Sequence, residues 1–257
     1  MTVGRGTPVR LAPARFAIAA LLLCCAALAI WWPGAVEYDS VEQYKQVLSG
    51  AYLDWHPPAM ARLWAVLHPL GPGATPMFVV QFVLYWLGLG LLAAALARSG
   101  RARPGAAVLA LGALPLFAGW QAAVLKDTQM LGAIVAATGL AGWWRLAGRR
   151  MPIIAMAAVA ALLVYAMLVR ANAVFAVVPL VVMLVPWPMR LWQRGPAIGA
   201  GQVVTGIAAY RHRGHPRGHA RAVGLHARDS PPKLGMGTGR DNKGGGEGKR
   251  DTARVGV

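Results

Sequence analysis

The chain has 257 residues, of which 57% are hydrophobic and only 14% charged, yet its formal net charge is +17. A charged share well below the rough quarter of soluble domains, with a mean hydropathy of +0.48, excludes a disordered protein and fits an ordinary soluble domain poorly. What remains is a membrane protein with a basic remainder. Cys24 and Cys25 are adjacent inside an apolar run, so they build no disulfide framework and lack metal-site spacing; they read as lipid-facing or packing residues.

Crossing the hydrocarbon takes roughly 20 largely apolar residues in a helix. Six stretches qualify: 16–32, 77–97, 105–125, 128–144, 151–169 and 172–187. The first follows Arg5, Arg10 and Arg15 as a signal peptide would, but Trp31, Trp32 and Pro33 occupy the place of a cleavage site, so it reads as an uncleaved anchor. The expected fold is all-α, a polytopic transmembrane helical bundle of about six spans over 16–195, with a basic N-terminus at 1–15 and a long first loop at 33–76. Arginines are held on the cytoplasmic side. With six spans, Arg5–Arg15, Arg98–Arg103, Arg145–Arg150 and Arg190–Arg194 all fall inside, which predicts a multi-pass protein of the plasma (inner) membrane with its N-terminus in the cytoplasm.

That topology puts all five acidic residues before position 196, Glu37, Asp39, Glu42, Asp54 and Asp127, on the outer face. His56, Lys126, Arg170 and Asn172 fall beside them, and ionisable groups at membrane level are costly and tend to be functional. Within the loop, Asp39 to Glu42 and Ser40 to Gln43 are overlapping helix starts. Val41, Tyr44, Val47 and Leu48 then form one face before a Gly50 stop. Prolines 57 and 58 hold the residues before them extended, so Asp54 and His56 can project to one side. In 59–70, Met60, Leu63, Trp64 and Leu67 recur at helical spacing after Pro58, which suits a first helical position; this predicts an interfacial amphipathic helix lying on the outer surface.

The segment PGAVEYDSVEQYKQVLSGAYLDWHPP at 33–58, followed by an amphipathic stretch, resembles the first outer loop of the polytopic GT-C glycosyltransferases, including their protein O-mannosyltransferase-like branch. VLKDT at 124–128 and LVRANA at 168–173 are similar to segments of related bacterial membrane proteins. The resemblance covers about 16–195 and implies sugar transfer from a polyprenyl-phosphate-linked donor to an acceptor glycan, lipid or protein on the outer face. It also implies an acidic residue of the first loop as general base. Such chemistry needs a carboxylate to take the acceptor proton and cations to stabilise the departing phosphate. Asp39 or Asp54 fits the first role, Lys126 and Arg170 the second, with His56, Asp127 and Asn172 as further substrate contacts. A single base opposite the leaving group predicts inversion.

Each assignment has a structural rival. Asp39 and Asp127 can be helix caps, Asp54 an exposed loop carboxylate, His56 a packing residue, Lys126 and Arg170 snorkelling anchors, and Asn172 a turn residue. The sequence assigns no cofactor and leaves a divalent cation open. Some relatives implied by the resemblance use a divalent cation, but scattered carboxylates without ligand spacing give no metal site to name. The rival class is a non-enzymatic membrane protein, a transporter, flippase-like component or assembly partner. It finds little support in spans whose polar or helix-breaking candidates reduce to residues such as Gln81, Gly88 and Gly90.

From about 196 the sequence changes character. Four of the six histidines, His212, His215, His219 and His226, lie among Arg, Gly and Pro without apolar periodicity. One reading is a basic disordered tail attracted to anionic lipid, with nucleic acid a weaker partner. The other is an out-of-frame translation of a GC-rich gene, in which case the chain is a truncated remnant of a longer enzyme.

Overall fold

A computed structural model describes residues 11–52 and 58–184, together with 195, 196, 198, 199, 201 and 202. Arg5, Arg10, Asp54, His56, residues 185–187, Arg190, Arg194 and the tail beyond 202 lie outside the described residues. The chain divides into two compact units, Met1–Gly206 and Ile207–Val257, and every described residue belongs to the first.

The described residues are mostly helical, and the described part of each apolar stretch lies mainly on helix. Helix α1 (Leu11–Trp31) leads into a two-residue strand β1 (Ala35–Val36), α2 (Tyr38–Ser49), α3 (Ala59–Leu67) and a 3-10 turn at His68–Leu70. Then come α4 (Thr75–Arg98), α5 (Ala102–Gly112), α6 (Pro115–Ala122), strand β2 (Ala123–Val124), α7 (Lys126–Arg145), α8 (Ile153–Val169), a 3-10 turn at Ala171–Ala173 and α9 (Val174–Leu184).

Among the described helices, α1 and α4 are long and apolar enough to cross a membrane. Helices α5 and α6 are bent by 51° and supply a third crossing if the pair is one span. The break lies at Leu114, whose extended backbone is what a following proline demands. Helix α7 is long enough but opens on Lys126, Asp127, Thr128 and Gln129, while α8, at 17 residues, and α9, at 11, are apolar but short.

Close approach of backbones organises the bundle. A Cβ on Gly88 of α4 would collide with the Val135 carbonyl of α7, and one on Gly139 of α7 would collide with the Gly88 carbonyl. Such small-residue contacts let the backbones approach closely and pack through dispersion. The pairs Gln81 with Gln129 and Arg98 with Trp143 show that α4 and α7 run the same way. Helix α1 packs on α4 through Ala20 against Gly90, and the second core cluster joins Ala137 and Ala141 of α7 to Val159 and Leu163 of α8.

Two loop expectations need correction. Helix α2 stops at Gly50 as predicted, with φ +68 and its N–H bonded to the Gln46 carbonyl, but its inner face is Ser40, Gln43 and Gln46. Of the predicted apolar face, Tyr44 and Val47 pack against the core, whereas Val41 and Leu48 are exposed, because the Ser40 hydroxyl donates to the Val124 carbonyl and sets the rotation of the helix. In α3, Pro58 is the N-cap rather than the first helical residue, and Met60 and Trp64 are buried within the protein core instead of facing lipid. The Trp64 ring packs on Tyr44, its centroid 5.1 Å away, and its indole N–H donates to the Gly73 carbonyl at 3.0 Å. The helix therefore spends its apolar face on α2 and α4.

Candidate functional site

The first loop and the start of α7 are joined by the parallel pairing of β1 with β2, Ala35 opposite Ala123 and Val36 opposite Val124. The chain reaches that register through Gly34, at φ +93, where any Cβ would meet the Phe78 ring at 2.6 Å and the Ala122 carbonyl at 3.2 Å. Pairing brings the α2 N-terminus beside the α7 N-terminus across more than eighty residues of sequence.

Asp39 therefore lies in the first turn of α2 rather than capping it; the N-cap is Glu37, whose side chain makes no cap bond. The Asp39 carboxylate is 3.0 Å from the Lys126 Nζ. The two members differ in access: the Asp39 side chain is 47% exposed, that of Lys126 10%. Lys126 is thus a buried cation turned toward a carboxylate, and not a snorkelling anchor. Glu42, one turn further along α2, is engaged by Lys45 at 2.6 Å, and that hydrogen bond raises the Lys45 ammonium above the ordinary lysine range.

Next to Lys126, Asp127 pairs with the guanidinium of Arg170, which follows the last residue of α8. The helix α7 cap falls to Thr128, whose hydroxyl accepts the Leu125 N–H at 3.1 Å. Asp39, Lys126, Asp127 and Arg170 thus form two ion pairs of alternating sign gathered on one turn of α7 from three helices. Asn172 is exposed in the 3-10 turn just after Arg170. Of the seven residues predicted for the site, the structure brings these four together and places Asn172 in the adjoining turn; Asp54 and His56 lie outside the described residues.

Beneath the charges is a buried polar network, of which Gln81 alone stood out in the sequence. Gln81 Nε2 donates to the Gln121 carbonyl at 2.5 Å and the Ala123 carbonyl at 3.1 Å, while Thr128 Oγ1 donates to the Ala123 carbonyl at 2.8 Å. Gln129 Nε2 donates to the Met77 carbonyl at 2.9 Å and the Gln81 Oε1 at 3.1 Å. Where β2 interrupts helix, its carbonyls have no helical partner, and buried side chains supply one. Single glutamines in apolar helices were the available signal. Replacing Gln81 by Leu is expected to leave the Gln121 carbonyl without this donor and to lower stability by about 1–3 kcal/mol, read as a fall in the thermal unfolding midpoint in detergent.

Among the described residues, no group of three or more His, Cys, Asp or Glu is placed to hold a metal ion. Asp39 and Asp127 face cations instead, so these residues do not fit a divalent ion. Comparison with models of protein families, with curated proteins and with solved structures finds no match.

Proposed function

We propose that the chain is a polytopic membrane glycosyltransferase, six-spanning and GT-C-like, moving a sugar from a polyprenyl-phosphate donor to an acceptor at the face bearing Asp39. The observation that carries this reading is the Asp39–Lys126 pair: an accessible carboxylate held 3.0 Å from a buried cation, the two charge types that the reaction needs within one site. Asp39 removes the proton of the acceptor hydroxyl, whose oxygen attacks the anomeric carbon. The anomeric carbon–oxygen bond to phosphate breaks, and Lys126 with Arg170 holds the departing phosphate. Attack opposite the leaving group inverts the anomeric centre. Asp127 positions Arg170 through their ion pair.

Helices α1 and α4 and the bent α5–α6 pair can each serve as a span, and six-pass insertion with α7, α8 and α9 is part of the same proposal. A transport reading would draw on the buried glutamines, but the amide nitrogens of Gln81, Gln121 and Gln129 are occupied by backbone carbonyls. The test is sugar transfer from a polyprenyl-phosphate donor by membranes carrying the wild-type chain or Asp39→Asn. Retention of full transfer by a correctly inserted Asp39→Asn chain eliminates Asp39 as the base.

A further inference from the structure

Apart from Arg170, which pairs with Asp127, and Arg62 on α3, the described arginines occupy the end of the bundle opposite the carboxylates. Among the described residues the carboxylates are Glu37, Asp39, Glu42 and Asp127, all on or beside α2 and the first turn of α7. Arg145 closes α7 at its far end, about 27 Å away at the rise of an α-helix. Arg150 sits in the turn into α8, and Arg98 comes to the same end, its guanidinium 3.9 Å from the centroid of the Trp143 ring. That end is basic, with no described carboxylate on it.

Opening onto it is a groove of about 630 Å³ between α8 and α9, with Arg145 and Arg150 in its lining. Met156, Ala160, Leu163 and Met167 line it from α8, Val177 and Val181 from α9. The α8 residues recur at three- and four-residue spacing, one continuous stripe rising about 16 Å. Ile153 and Ile154, at the head of the same helix, are about 80% exposed, so α8 presents an apolar surface that water does not favour. The walls suit a flexible hydrocarbon, methionine above all because its unbranched thioether adapts to irregular shapes. Arg145 is anchored by donating one N–H to the Leu184 carbonyl at the end of α9, and a guanidinium carries five donors.

We propose that this groove binds one anionic phospholipid, an acyl chain lying along the α8 stripe and the phosphate held by Arg145 and Arg150. Charge complementarity selects the occupant: an apolar trough with cations only at its mouth matches an amphiphile with an anionic head, and the absence of a described carboxylate there leaves the cations to the ligand. The phosphate end of the site, at Arg145 and Arg150, lies at the opposite end of α7 and α8 from Asp39, and the proposal does not depend on the sugar-transfer reading.

The test uses the purified full chain in neutral detergent, titrated with phosphatidylglycerol or with phosphatidylcholine of the same acyl chains. Retained lipid is read by native mass spectrometry and stability by thermal unfolding. One phosphatidylglycerol per chain is expected to be retained, with a saturable rise in unfolding midpoint that phosphatidylcholine does not give. Arg150→Gln, at an exposed position, should weaken retention roughly fivefold. Ala160→Trp, which fills the groove, should abolish it, while Arg101→Gln should leave it unchanged. Equal retention of phosphatidylcholine overturns the proposal, as does undiminished phosphatidylglycerol binding by Ala160→Trp. A lipid-free dimer would make the groove a self-interface and overturn it as well.

Discussion

Asp39→Asn is expected to lower sugar transfer by about 100- to 10,000-fold, the usual contribution of a positioned general base. Asparagine keeps the shape and a hydrogen-bonding oxygen beside Lys126 but cannot accept the acceptor's proton at neutral pH. The effect should fall on kcat with little change in KM, because proton removal belongs to the transition state. Lys126→Gln should also reduce transfer, by roughly 100-fold, through loss of charge against the departing phosphate. Glu42→Gln is the internal control. It removes a carboxylate from the same helix, one already engaged by Lys45, and transfer should be unaffected. Equal losses in Asp39→Asn and Glu42→Gln would point to damage of α2 rather than to chemistry, and protease mapping of the inserted chains would reveal it.

The largest structural effect is expected at Gly139. A leucine there drives its Cβ into the Gly88 backbone carbonyl, a contact no rotamer relieves. Helices α4 and α7 must separate, and the Gln81, Thr128 and Gln129 hydrogen bonds between their first turns are pulled apart with them. Overpacking against backbone costs about 1–3 kcal/mol, and the linked hydrogen bonds add to it, so unfolding in detergent should shift to markedly lower temperature. Gly139→Ala already introduces the clashing atom and should show much of the loss. Gly195→Ala is the matched control, since a Cβ there meets nothing within 4 Å. Indistinguishable unfolding of Gly139→Ala and Gly195→Ala would rule out the close α4–α7 approach.

These two positions differ in how far they were legible. Asp39 stood out because a carboxylate just after a long apolar run is costly unless used, and helix-start chemistry around it predicted α2 with its Gly50 end. The rotation of α2 was only partly legible: of the apolar face Val41, Tyr44, Val47 and Leu48, Tyr44 and Val47 pack against the core, while Val41 and Leu48 are exposed and a serine hydroxyl on the Val124 carbonyl turns Ser40 and Gln43 inward. The apolar stripe of α3 was read correctly as a stripe and assigned to the wrong partner, since periodicity cannot distinguish lipid from protein as what covers a face. Gly88 and Gly90 drew notice only as polar or helix-breaking features, and their role as contact surfaces emerges once α1 and α7 are laid against α4.

Local chemistry determined the helical character of this protein and the residues worth suspecting. Each of these follows from transfer free energies and backbone preferences that act over a few neighbours. The tertiary structure decided which suspects meet. Lys126 faces Asp39, and Asp127 faces Arg170, because two-residue strands more than eighty positions apart pair in one register and because α7 and α8 run antiparallel. Such pairings are selected by the backbone hydrogen bonds left over where helices break, and those depend on the whole arrangement of the bundle.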